Sequence, residues 1–148
     1  MNIRTCMAAA GAAALLGAGA FVLPASAAPT HPGHRVHTLR FISVTKRSVN
    51  LSRTSVAQQD TDVTRSGKVI GFDNLYITFN PKTGKARGNF AFDTKGGFIF
   101  GTLRLPGSGA TGRVTGGTGK FRHARGSLVA TSLNKRGTRT AVTIRYRG

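Results

Sequence analysis

Thr115-Gly116-Gly117-Thr118-Gly119-Lys120-Phe121-Arg122-His123-Ala124-Arg125-Gly126 decides how this chain folds. It lies between two β-type segments and sets four glycines around one aromatic and four basic side chains. Glycine reaches backbone angles that a Cβ forbids, so Gly116, Gly117 and Gly119 read as a tight connection, and Gly126 as a bend or close backbone approach in the next strand. A phosphate-binding loop would need Gly-x-x-x-x-Gly-Lys-Ser/Thr running into a helix. Here Lys120 is followed by Phe121 and strand-like sequence, which excludes that reading.

On the C-terminal side, Ser127 to Leu133 and Thr138 to Tyr146 read as a hairpin closed by Asn134 to Gly137, with Val142, Ile144 and Tyr146 on one face. On the N-terminal side, Phe98, Phe100 and Thr102 oppose Ile99, Leu103 and Leu105 in a strand stopped by Pro106 to Gly109. Lys68 to Phe79 alternates Leu75, Ile77 and Phe79 against Tyr76 and Thr78. Asn80-Pro81-Lys82-Thr83-Gly84 then turns the chain into Ala86 to Asp93, where Phe90 and Phe92 share a face, and Thr94 to Gly97 forms the next turn. Further upstream, Leu39 to Thr45 reads as the first strand, covered on both faces. Residues 46 to 66 are polar and basic, with a second strand over Asn50 to Val56 and a loop over Gln58 to Thr64. Seven or eight strands result. Sequential hairpins with no helical period between them favour an antiparallel sheet that closes to remove its edges.

The Thr115–Gly126 stretch resembles the TGGTG-[KA]-[YF]-x-x-A-x-G signature of the dirigent and allene oxide cyclase barrel superfamily, through Thr115, Gly116, Gly117, Thr118, Gly119, Phe121, Ala124 and Gly126. Gly67-Lys68-Val69-Ile70-Gly71 is similar to that superfamily's G-x-x-V-G strand, and Gly96-Gly97-Phe98-Ile99-Phe100-Gly101 to its G-G-x-I-x-x-G hairpin. The order of parts fits from about Asp60 onward. The resemblance implies an all-β fold, an eight-stranded antiparallel β-barrel, often trimeric, with an apolar pocket at one mouth. It also implies a small secreted protein and two kinds of chemistry. Allene oxide cyclases isomerise a substrate in an apolar cavity with a carboxylate, an asparagine and a water; dirigent proteins orient radicals with pocket aspartates. Neither residue set maps onto this chain position by position, because its N-terminal third diverges and it has no glutamate.

The ends fit export. Residues 1–27 combine basic Arg4, an uncharged run from Ala8 to Leu23 and a small-x-small ending at Ala25-Ser26-Ala27, the form of a signal peptide cleaved between Ala27 and Ala28. The sole cysteine, Cys6, leaves with it, which excludes thiol chemistry in the mature chain. Residues 28–36 read as a flexible leader and 37–148 as one barrel domain. His31, His34 and His37 follow a His-x-x-His spacing, but without carboxylates or a rigid element they are read as leader, and no metal or cofactor is assigned. Removing Arg4 leaves 21 lysines and arginines against 4 acids, a formal +17 on 121 residues. Such a surface attracts anionic polymers by charge alone. Tyr76, Phe121 and Tyr146 lie near basic residues, but no signature of specific nucleic-acid binding accompanies them.

Every acid is an aspartate: Asp60, Asp62, Asp73 and Asp93. Asp60 and Asp62 are the first candidates to stabilise or move charge on a ligand, against a reading as solvated loop. Asp73, between Phe72 and Tyr76, is the next candidate, and Asp93 reads as a turn residue bonding nearby amides. Tyr76, Phe90, Phe92 and Phe100 are the candidate walls of a pocket for a small hydrophobic molecule, against a reading as barrel filling. The two functions in view are a ligand-binding barrel, an isomerase of the intramolecular cyclase type if it is an enzyme, and a non-enzymatic cationic protein adhering to anionic polymers. The first requires an apolar cavity with an aspartate in its wall; the second, a filled interior and one basic face.

Overall fold

The computed structural model describes residues 35–107 and 109–148; the expected signal peptide, its cleavage point at Ala27 and Ala28, and His31 and His34 lie outside them. Eight strands follow in order: β1 (His37–Ser52), β2 (Ser55–Val63), β3 (Val69–Phe79), β4 (Ala86–Thr94), β5 (Gly97–Leu105), β6 (Gly109–Gly117), β7 (Arg125–Ser132) and β8 (Arg139–Arg147). Each pairs antiparallel with the next, and β8 returns to β1, closing the barrel. A single 3-10 turn, Gly119–Phe121, interrupts this order between β6 and β7.

Turn chemistry sets the hairpins. Asn80 Oδ1 accepts from the amides of Lys82 at 3.0 Å and Thr83 at 3.2 Å, and Gly84 takes a φ of +64°. Asn134 does the same work between β7 and β8, accepting the Thr138 amide at 3.0 Å. The turn between β4 and β5 departs from expectation. Asp93 belongs to β4, and it is Thr94 Oγ1 that accepts the Gly96 amide, at 3.0 Å.

The glycine motif is a clamp as well as a connection. Gly116 and Gly117 are the last residues of β6 and not part of a loop, and a side chain at Gly117 would strike the Phe98 and Phe121 carbonyls. Thr118 holds the start of β5 twice, donating its amide to Phe98 O at 2.9 Å and accepting the Phe98 amide at Oγ1, 3.0 Å away. Gly119, at φ +55°, packs against the Gly96 backbone, and the Lys120 amide donates to Gly96 O at 3.0 Å. This turn drives Phe121 and Ala124 into one end of the barrel, where they are 1% and 0% exposed. Gly126 is a close approach, since a Cβ there would collide with Arg145 O.

The N-terminal region differs most from expectation. β1 runs 16 residues, far beyond Thr45, and the expected strand Asn50 to Val56 is instead the hairpin between β1 and β2. The expected loop Gln58 to Thr64 is mostly β2. Its inward row is Gln58, Asp60 and Asp62, so the side chains facing the barrel interior are polar and hide the alternation that marks a strand.

Candidate functional site

Phe121, Ala124, Val114 and Ile99 cluster, fully buried, at the end holding the glycine motif, and Ile144 borders the cavity beyond them. The other half of the barrel is hollow. A cavity of about 430 Å³ opens at the end formed by the β5–β6 and β7–β8 turns, walled by Phe41, Leu75, Ile77, Phe90, Phe92, Leu103 and Leu128. The inward positions there on β6 and β7 are small, Ala110, Ala130 and Ser132, and the space they leave is the cavity. Phe41 and Phe92 stack at 4.4 Å between centroids, 10° from parallel.

Two carboxylates stand in this apolar wall. Asp60 on β2 and Asp73 on β3 are directly opposed in the strand register and both line the cavity. Ser43 Oγ donates to Asp60 Oδ2 at 2.6 Å, and Gln58 Nε2 donates to both Asp60 oxygens, at 3.0 and 2.9 Å, and to Thr45 Oγ1 at 3.1 Å. Asp73 Oδ1 has no partner. Asp62, fully buried, sits one step deeper on β2, paired in register with Ser43 and Gly71, and neither of its oxygens has a partner as an ionised acceptor. Irregular pairing brackets the group: β1 bulges at Lys46 and β3 at Ile70. Bulges of this kind commonly re-aim side chains beside functional sites.

Burial, and next the Asp73 carboxylate, push Asp62 up to about 9, so Asp62 is neutral at physiological pH. Its proton then has one evident acceptor, the Asp73 carboxylate, and a hydrogen bond between the two satisfies groups that would otherwise be orphaned. Burial and the Asp60 charge raise Asp73 to about 6, partly offset by the hydrogen bond from Asp62. Two interacting carboxyls in one low-dielectric site titrate as a pair. The arrangement is a proton held behind a carboxylate that faces an apolar chamber.

The aspartates expected at the site are thus placed together, with Asp60 and Asp73 on the cavity and Asp62 behind them. The expected solvated-loop setting of Asp60 and Asp62 does not hold, since they are 3% and 0% exposed. Of the aromatic candidates, Phe90 and Phe92 line the cavity. Tyr76 and Phe100 do not: each sits between inward neighbours on its strand and points outward, 46% and 40% exposed. Phe41, Ser43 and Gln58 escaped selection, although Phe41 and Ser43 share a face of β1 and Gln58 shares one with Asp60. His37 stacks on Tyr146 at 5.2 Å, away from the cavity.

No protein-family model matches the chain, and no curated protein matches it significantly. Solved structures do. A pyocyanin demethylase superposes with a TM-score of 0.63 at 16% identity, covering 74% of this chain and 99% of its own. A pterocarpan synthase dirigent protein gives 0.53 at 18%, covering 77% and 87%, and an exo-specific intermolecular Diels-Alderase gives 0.56 at 12%, covering 77% and 99%. The chain therefore has the closed eight-stranded barrel fold of the dirigent and allene oxide cyclase-like proteins.

Proposed function

We propose that this is a secreted barrel that binds a small hydrophobic molecule in its open half and isomerises it by moving a proton. The observation that carries the reading is the cavity of about 430 Å³ with Asp60 and Asp73 set in a wall of Phe, Leu and Ile. That size suits one drug-sized molecule, with few polar groups to orient it. Asp73, ionised for the most part at neutral pH, takes a proton from one atom of the ligand. Returned at another atom of the same molecule, that proton completes an isomerisation with nothing consumed. Asp62 acts only through Asp73, as the neutral donor that steadies it between the two transfers. Neighbours named as a demethylase, a pterocarpan synthase dirigent protein and a Diels-Alderase support reading such a barrel as a reaction chamber. Outward-facing Phe72, Phe98 and Phe100 suit the oligomer that the family resemblance implies.

Native mass spectrometry of the protein from its own culture medium tests the reading. The expected species begins at Ala28 and retains an apolar molecule of about a few hundred daltons. A chain found only inside cells with residues 1–27 intact contradicts export, and a barrel that takes up no apolar molecule contradicts the chamber.

A second reading, adhesion to anionic polymers, rests on a different face. Arg87 and Arg104 oppose each other across β4 and β5 beside Tyr76 and Asn89, in an outer groove of about 330 Å³. Like charges in register repel, and an anion bridging them removes that cost. Binding to an anionic polymer that does not weaken with added salt would eliminate this reading.

A further inference from the structure

We infer that the molecule bound in the cavity carries a protonated nitrogen, seated against Asp73 and Asp60. This rests on the ligand-binding reading above and specifies its chemistry.

Donors are scarce around these carboxylates. Around the acids, the Ser43 hydroxyl has one proton, directed at Asp60, and the Gln58 amide is taken up by Asp60 and Thr45. Asp73 is 6% exposed and lines the cavity, and the protonated Asp62 carboxyl behind it fills only one of about four lone-pair sites on its two oxygens. A hydrocarbon laid over it would strip a carboxylate of water and return nothing. An anion would add a third negative charge to a pair already opposed in register. An ammonium or N–H heterocyclic cation answers both defects, donating to the cavity face of the Asp73 carboxylate and lying between two charges at low dielectric. The flank adds to the fit. Phe92 is the strand partner of Asp73 on β4 and stacks with Phe41, so an aromatic face borders the acids where a cation is favoured.

Charges facing this point from the other elements do not compete. β4 presents Phe92, β5 Leu103, β6 Ala110 and β7 Leu128; the basic members of the lining, Lys135 and Arg136, belong to the β7–β8 turn at the mouth. The chain as a whole is strongly basic, with a formal charge of +18. A cation must therefore enter against the general field and is held by a local reversal of sign.

Three matched probes test the inference on the full mature chain: 1-naphthylmethylammonium, 1-naphthylmethanol and 1-naphthoate. The chain has no tryptophan, so naphthalene fluorescence reports binding without that background. At about pH 7.5 the ammonium should bind about tenfold or more tighter than the alcohol, and the naphthoate weakest. The advantage should shrink as pH falls through about 6, where Asp73 gains its proton, and should be lost in Asp73→Asn. Added salt should strengthen ammonium binding by screening the surface field, the opposite of a surface ion pair. If the alcohol binds as well as the ammonium, this inference fails and the chamber stands. If none of the three binds, the chamber itself is refuted and the inference with it. The pH series on the unmodified chain decides the matter even if Asp73→Asn fails to fold.

Discussion

The two ends of this barrel are built from the same strands and do opposite things. At the glycine-motif end the inward positions are filled: Phe121, Val114 and Ile99 are at most 1% exposed and none of them lines the cavity. At the other end β6 and β7 turn Ala110, Ala130 and Ser132 inward, and the same circumference encloses a cavity. Eight strands enclose a space that side chains can just fill or just fail to fill. Side-chain size on two strands makes the difference, and the closed end supplies the packing that lets the other stand open.

The comparison breaks most easily at Phe121. Phe121→Ala should cost about 3–5 kcal/mol, since nothing nearby can collapse into the gap without moving a turn tied to Gly96 and Phe98. Phe90→Ala removes an equal ring from a wall that already faces the cavity, and should cost at least about 1 kcal/mol less. Denaturant unfolding of the two variants compares them directly. Equal losses would mean that the open half is packed as tightly in solution as the closed one.

Acidity sharpens the contrast next. In the folded state Asp62 is raised from 3.8 to about 9 and Asp73 from 3.8 to about 6, so the native chain binds more protons than the unfolded one between those limits. Stability contributed by these groups is therefore present in full below about pH 4 and falls as pH rises, through about 6 for Asp73 and about 9 for Asp62. The slope reaches about 1.4 kcal/mol per pH unit for each carboxyl in its window. Asp62→Asn should flatten the fall above pH 6, whereas Phe121→Ala should lower the whole curve without changing its shape. A stability that rises from pH 4 to 9 would show that these acids are solvated or ion-paired.

The closed end was legible in the sequence and the open end only in part, for one physical reason. Thr118, Gly119, Phe121 and Ala124 act locally, through turn geometry and one buried ring, so their spacing carries their meaning. The acid site is assembled across three strands and is polar on its inward face. Gln58, Asp60 and Asp62 therefore read as loop, although they alternate with outward residues as any strand does. Asp73 was set apart from Asp93 in the sequence by a turn role that Asp93 does not fill; it is register that places Asp73 opposite Asp60 and leaves Asp93 facing outward between Phe72 and Phe98. Aromatic residues misled in the same way, since Tyr76 and Phe100 resemble Phe90 and Phe92 in kind and differ only in which side of the sheet they occupy.

The smallest expected effect on stability is also the most direct probe of the hollow. Ala130 lines the cavity, and Ala130→Leu places three more carbons where there is already room, so stability should move by less than about 1 kcal/mol. Ala124 is fully buried beside Phe121, and Ala124→Leu forces the same carbons into a filled space, at a cost of about 1–3 kcal/mol or more. Probe binding should respond in reverse. Ala130→Leu should abolish uptake of the naphthalene probes while leaving the fold intact, and Ala124→Leu should leave their affinity unchanged in whatever fraction remains folded. If the two leucines cost the same and both spare binding, the division of the barrel into a packed half and a receiving half is wrong.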